Sequence, residues 1–595
     1  MRFIERMIKR LKLLERWVLL ATLVGIVSGV GAVIFYVLLE LSVDFFLEYI
    51  VNYTPPAAGG EAGVLSSQES TPRWWMLPFV PMIGGIISGI LVYTWAPEAE
   101  GHGTDAVISA FHRFKGHIRK RIPLIKTLSS VAIIGSGGSA GREGPIAQIG
   151  AGFGSWLSSL LNLSDRDRRI AVICGTAGGI GSIFKAPLGG AVFAIEVLYK
   201  RDFEAEALIP SFISSTIAYS IFALFFGFDP IFDTPMYALS HVAELIFYAI
   251  LGIICAPLAI IYVKMFYWTR DNVFKKLDLP NHMKPALGGL GVGILALLMP
   301  EILGSGYGWI QLAMHERMIL VTMIALIFAK MLATALTIGS GGSGGVFAPS
   351  LVIGAMIGGA FGTIIKLLFP DLPINPGAFV LVGMAAFFSG AAKVPVASII
   401  MISEMTGDYN LLAPLMIACA LSYIFSGDWT IYESQVLTKA HSPVHRGEFT
   451  VDILEKIGVG KVMTRDVITV SPETTIHEIS ELIGKTGHLG FPVVKDSKLV
   501  GIVTYADVIK VPVKEAETTK AEDIMTRKLI TVTPKDNLCS ALRKMHEYKH
   551  GHLPVVDSTD KTTLVGIITK SDIIRGHEII RRITRRKEKE TETGS

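Results

Sequence analysis

The chain has 595 residues, of which 51% are hydrophobic and 18% charged, whereas an ordinary soluble protein carries about 25% charged residues. A net charge of +4 over this length leaves no clustered basic footprint for nucleic acid, and the polar surface is too small for one large soluble enzyme. Apolar, glycine-rich sequence continues to about residue 436, and Lys, Glu, Asp and Thr then become common, as in a membrane body followed by a water-soluble tail.

The first sixteen residues, MRFIERMIKRLKLLER, are basic and amphipathic. The apolar run Trp17–Leu39 behind them is longer than the core of a signal peptide and can cross a hydrocarbon layer of about 30 Å. It predicts an uncleaved membrane helix, with the Lys/Arg excess holding the N-terminus in the cytoplasm. Further apolar stretches lie near 77–96, 123–138, 170–198, 207–227, 241–267, 284–299, 318–338, 351–369, 377–404 and 411–426. Many are interrupted by Gly, Ser or Pro, and irregular backbone survives at membrane depth only where protein or a watery cavity covers it. Four cysteines (Cys174, Cys255, Cys419, Cys539) show neither metal-ligand spacing nor a disulfide framework and are expected as buried thiols.

The membrane body is duplicated. IGSGGSAGREGP (Ile134–Pro145) returns as IGSGGSGGVFAP (Ile338–Pro349) at an offset of 204. Gly175–Val197 pairs with Gly383–Met405 at an offset of 208, which sets Lys185 on Lys393, Pro187 on Pro395 and Glu196 on Glu404. Interrupted segments at matching positions of two halves mark a transport site. The tail holds a second duplication: VMTRDVITVSP, FPVV and GIVTYAD are followed by IMTRKLITVTP, LPVV and GIITKSD. Helical runs at Thr475–Lys485 and Asn537–Tyr548 make each unit a small α/β module, over about 455–514 and 518–578. The last residues, 579–595, are charged and predict a disordered end.

Three glycine-punctuated segments invite an anion. Gly101–Asp105 (GHGTD) ends one apolar stretch and offers a helix start, with His102 a donor when protonated. In Gly141–Pro145 (GREGP), glycines let backbone amides face a small ligand at the positive end of a helix dipole. Glu143 there is an anomaly, a carboxylate where an anion belongs. An intramembrane carboxylate is costly and marks function, and competition with the anion resolves the conflict. Glu143 is thus a candidate gate, a proton carrier, or both, set against a merely structural pairing with Arg142. Gly345–Pro349 (GVFAP) is the same element in the second repeat, with Phe347 in place of Glu143. The glycine run lacks the Gly-Lys-Ser/Thr ending of a phosphate-binding loop, and no nucleophile–base cluster stands out, so an enzyme is not expected.

Taken together, GREGP, GVFAP, IFKAPLGGAVFAIE, EMTGDY and the late Tyr432 resemble the CLC family of chloride channels and chloride/proton antiporters, over roughly residues 15–440. The tail modules resemble a pair of CBS domains. The resemblance implies an all-α polytopic membrane protein of two inverted repeats with broken helices (about 17–227 and 241–430), joined to a cytoplasmic α/β CBS tandem. It implies a homodimer in the lipid bilayer, each subunit with its own pathway for chloride or another small anion. Glu143 would be the external gate. Gly101, His102, Gly103, Gly141, Arg142, Gly144, Pro145, Gly345, Val346, Phe347, Ala348 and Pro349 would line the anion, and Tyr432 would give it a hydroxyl.

Two departures matter. The loop that reads Gly-Ser-Gly-Ile-Pro in the family has His102 at the serine position and Thr104-Asp105 in place of Ile-Pro, which bears on anion choice. The family's antiporters carry Glu-Glu where this chain has Glu196-Val197, so the internal proton-transfer position falls on Val197, as in the channels, unless Glu196 or water substitutes. In the tail, the CBS resemblance implies an adenine nucleotide (ATP, ADP or AMP), with Asp507 and Asp572 on ribose hydroxyls and Thr504 and Thr569 near phosphate; no cofactor is required. The expectation is a chloride channel of the cell membrane, both termini cytoplasmic, gated by Glu143 under voltage or pH and modulated by the CBS pair. Proton-coupled exchange is the alternative, and a membrane-anchored nucleotide sensor is the alternative of another class.

Overall fold

The computed structural model describes residues 13–61, 72–239, 241–445, 454–455, 457–576 and 578. Most of the expected N-terminal helix (residues 1–12 of 1–16) and the charged end at 579–595 lie outside the described residues. The chain divides into two units, Met1–Val444 and His445–Ser595.

The first unit is helical. The first repeat consists of α1 (Leu13–Val43), α2 (Phe79–Trp95), α3 (Thr104–Arg113), α4 (Ile122–Gly135), α5 (Glu143–Leu160), α6 (Asp165–Ile183), α7 (Pro187–Glu196) and α8 (Leu208–Phe226). The second answers in the same order with α9 (Glu244–Trp268), α10 (Lys284–Leu298), α11 (Tyr307–Met314), α12 (Leu320–Gly339), α13 (Phe347–Leu368), α14 (Pro376–Ala392), α15 (Pro395–Thr406) and α16 (Leu412–Phe425). Six helical spans among the described residues are long and apolar enough to cross a membrane, and five further apolar helices are shorter. The glycine and proline interruptions in the sequence account for the short ones: Pro187 and Pro395 open α7 and α15 at the position where a missing N–H costs nothing.

Small residues allow the helices to approach closely, as membrane helices require without a hydrophobic drive between them. α5 and α6 touch backbone to backbone at Gly150 and Gly175, and α13 and α14 do the same at Gly354 and Gly383. The repeats meet through reciprocal contacts. Gly141 and Gly345, equivalent by the 204-residue offset, exchange both backbone hydrogen bonds at 2.7 Å in an antiparallel bridge. Equivalent residues that pair with each other in opposite directions place a local two-fold axis between them.

The second unit is a tandem of α/β modules. α17 (Ile476–Thr486), β1 (Gly490–Lys495), β2 (Lys498–Thr504) and α18 (Tyr505–Val508) form one; α19 (Ala521–Ile524), α20 (Leu538–Glu547), β3 (His552–Val556) and β4 (Leu564–Thr569) follow. Each strand pair is antiparallel and carries a bulge at the same place, Val493/Val494 and Val555/Val556. The opening segments are exchanged: Ile457 and Val459 pack into the core of the second module, while Ala521, Ile524 and Met525 pack into the first.

Candidate anion pathway

Three helix N-termini converge on one buried cradle. α3 starts behind Gly101–Gly103, α5 at Glu143 and α13 at Phe347. Besides the Gly141–Gly345 bridge, Gly101 pairs with Ser343, and Gly344 donates its N–H to the Gly101 carbonyl. A Cβ on Gly141 or Gly345 would run into the Glu143 carboxylate, and one on Gly144 would run into the His102 carbonyl. Glycine is required here because backbone and carboxylate share the space. The three anion segments named from the sequence are thus adjacent.

Glu143 is buried, and its Oε1 accepts a hydrogen bond from the Tyr307 hydroxyl at 2.6 Å, while Oε2 has no partner among the described residues. Tyr432 is buried close by, with its ring 5.4 Å from that of His102. The His102 Nδ1 is buried without a hydrogen-bond partner among the described residues. Phe347 forms an aromatic wall with Phe184 and Phe388. Asp105, one of the departures in the loop, accepts both the amide and the hydroxyl of Ser434 at 2.7 and 2.6 Å, and so fastens the segment carrying Tyr432.

Two expectations meet different surroundings. The guanidinium of Arg142 is paired with Glu61, so the alternative of an Arg142–Glu143 pair does not hold. Glu196 lies apart from the cradle, and its two carboxylate oxygens accept the Val396 and Ala397 amides at the start of α15. Glu404, its counterpart, accepts the Leu188 and Gly189 amides at the start of α7. Val197 is buried.

Sequence reasoning missed several buried polar residues. Buried Lys126 donates to the carbonyls of Ala99 and Gly101, and buried Lys330 to those of Ile302 and Gly304. Both are lone lysines in apolar runs, 204 residues apart, and that repeat is the signal that could have found them. Tyr307 is the first residue of α11, behind Gly304 and Gly306, as Thr104 is the first of α3, behind Gly101 and Gly103. Glu204 is buried and bonded to the Tyr199 hydroxyl at 2.6 Å and to Lys439 at 3.0 Å.

In the second unit, Thr504–Asp507 and Thr569–Asp572 are local caps. Each aspartate accepts the hydroxyl and the amide of its threonine. Burial works to raise the Asp507 carboxyl, but the Thr504 hydroxyl and amide and the Lys510 ammonium outweigh it and hold it below the usual range. The Asp507 residue is half-buried, whereas Asp572 is buried. Cys174, Cys255 and Cys419 are buried, while Cys539, in this unit, is only half-buried.

Paired repeats of broken helices, converging on a buried glycine cradle, define a multi-pass membrane protein that transports anions. The chain belongs to the voltage gated chloride channel family, CLC, whose description matches residues 84–427; CBS domains match residues 459–514 and 521–577. It is 30% identical to the chloride channel protein CLC-f of Arabidopsis thaliana over 560 residues, 83% of this chain and 69% of that one. It is 29% identical to the H(+)/Cl(-) exchange transporter ClcA of Vibrio vulnificus over 404 residues, 67% of this chain and 84% of that one. The fold matches the crystal structure of a slow cyanobacterial Cl-/H+ antiporter with TM-score 0.62 at 22% identity, over 70% of this chain and 96% of that one.

Proposed function

We propose that the protein conducts chloride passively, as a homodimeric channel of the cell membrane with cytoplasmic termini, gated by Glu143 and modulated by its CBS pair. The backbone amides of Arg142, Glu143 and Gly144 and of Val346, Phe347 and Ala348, the orphaned Nδ1 of His102 and the Tyr432 hydroxyl are the anion's ligands, while the Gly141 and Gly345 amides bond each other. Glu143 competes for the same place, and protonation or voltage releases it. The cradle draws on both repeats of one chain, which supports a separate pathway in each subunit. The observation that carries the channel reading is the pair Glu196–Val197: valine holds no proton, and Glu196 is engaged by two amides.

Proton-coupled exchange is the second reading, and buried Glu204, seven residues past Val197 and bonded to Tyr199 and Lys439, favours it. The two readings separate in a planar bilayer with a chloride gradient and a varied pH gradient. A channel reverses at the chloride Nernst potential at every pH difference. A reversal potential that moves with the pH difference overturns the channel and makes Glu204 and Glu196 the residues to replace. Glu143→Gln is expected to abolish the pH response of flux; an unchanged response removes Glu143 as the gate. In the tail, the partly exposed Asp507 is the better ribose ligand of the two aspartates, and loss of ATP, ADP or AMP binding in Asp507→Asn tests it.

A further inference from the structure

Arg142 is next to Glu143 in sequence, yet its side chain leaves the cradle. The guanidinium is 5% exposed and lies close to two phenol rings, with Cζ 5.2 Å from the centroid of Tyr36 and 5.0 Å from that of Tyr307. Cation–π contact with the two rings leaves the N–H groups as the points at which an anion can bind. One edge is taken by the Glu61 carboxylate, and the buried Nε has no hydrogen-bond partner among the described residues. Cavities of about 860 and 560 Å³ meet here, each lined by both Arg142 and Glu61. Lys185 also lines the larger cavity, and its Nζ donates to the backbone carbonyls of Gly60, Phe226 and Asp229; Asp229, Asp233 and Asp408 line the same cavity and Glu40, Asp44 and Glu48 the smaller one, so the two cations are local positive points in an acidic surround.

Glu61 arrives on a strap, residues 52–61, that follows the first membrane helix. The Gly59 amide donates to the Gln311 Oε1 at 3.0 Å, and the Gly60 amide to the Ile231 carbonyl at 2.9 Å. A Cβ on Gly308 would strike the Pro56 carbonyl, and one on Gly60 would strike that of Pro230. These strap contacts do not involve the Glu61 side chain, which needs only to turn to leave Arg142. A carboxylate on a tether beside a buried guanidinium repeats, one residue away, the relation of Glu143 to the glycine cradle.

We propose that Arg142 is a second site for a small monovalent anion, at the mouth between the two cavities, and that Glu61 occupies it as a tethered carboxylate which an entering chloride displaces. The unpartnered Nε is the edge on which the anion lands before Glu61 turns away. This rests on the reading of the cradle as the anion pathway, and the test keeps the two apart.

Chloride binding to the purified full-length protein would be measured by titration calorimetry for the wild type, Glu61→Gln, the double variant Glu61→Gln/Arg142→Gln, and Glu143→Gln. Glu61→Gln is expected to bind one more chloride per chain than the wild type, or to bind it at least tenfold more tightly, and the double variant to lose that gain. Identical stoichiometry and affinity in the wild type and Glu61→Gln overturn the proposal. Should the double variant fail to fold, bromide soaked into crystals of Glu61→Gln decides: anomalous density against Arg142 supports the site, and density confined to the glycine cradle overturns it. The cradle reading fails separately, if Glu143→Gln leaves chloride binding and flux unchanged while Glu61→Gln still gains its site.

Discussion

At the scale of single residues, the proposed gate, Glu143, is held by a group that no motif advertised. Tyr307 gives Glu143 a short hydrogen bond at 2.6 Å in a buried setting, and a bond to a charged acceptor contributes about 1.5–3 kcal/mol. If that bond exists only while Glu143 fills the cradle, Tyr307→Phe shifts the gate toward open by roughly ten- to a hundredfold. The expected result is higher chloride efflux from vesicles at neutral pH, with a weaker response to acid. In a Glu143→Gln background the same change should do nothing further, and an effect of equal size there would show that Tyr307 acts by packing. Glu143 and the glycines were legible because a carboxylate amid Gly and Pro at membrane depth has few explanations. Tyr307 was not, because an aromatic hydroxyl in an apolar run gives no hint of its partner 164 residues away.

At the scale of elements, the duplication was legible in full and its meaning in part. The repeated strings aligned Glu196 with Glu404, but only the folded chain shows that each caps the helix of the other's repeat. A carboxylate at a helix N-terminus satisfies amides that have no intrahelical partner and complements the dipole. Two such caps, exchanged across the local two-fold, fasten the repeats to each other. Glu196→Gln turns one accepting oxygen into a donor against a backbone N–H, at a cost of about 1 kcal/mol, as for a lost cap. Glu404→Gln should cost the same. Both variants are expected to lower the melting temperature of the detergent-solubilised protein by similar amounts and to leave the reversal potential unmoved. If Glu196→Gln alone moves the reversal potential while stability holds, Glu196 carries protons and its capping is incidental. The tail followed the same pattern: strands and helices were readable from alternation and turn residues, whereas the exchange of opening segments between modules depends on contacts that no local pattern encodes.

At the scale of the whole molecule, the question is what the second unit adds to a proposed pathway whose ligands all lie in the first. The segment after α16 belongs to the membrane unit and runs along the pathway. Tyr432 reaches the cradle, Ser434 is held by Asp105, and the Gln435 side chain donates to the carbonyls of Val197 and Ala392. Val436 bridges Tyr199, Lys439 pairs with Glu204, and the Ser442 hydroxyl contacts His112 at 2.8 Å. If the second unit modulates the cradle as proposed, these bonded residues are the stretch of the membrane unit through which it acts on Tyr432. The position of a truncation then decides its effect. A chain ending at residue 445 keeps every one of these contacts and should sustain chloride flux in vesicles while losing any response to adenine nucleotides. A chain ending at residue 430 loses Tyr432 and the Asp105–Ser434 anchor, and should lose flux even where it still inserts. Asp105→Asn in the full-length protein isolates the linkage, because it loosens the anchor without shortening the chain: basal flux should persist and nucleotide sensitivity should fall. If the chain ending at 445 is silent although folded, the second unit is part of the conducting machinery and not a modulator of it.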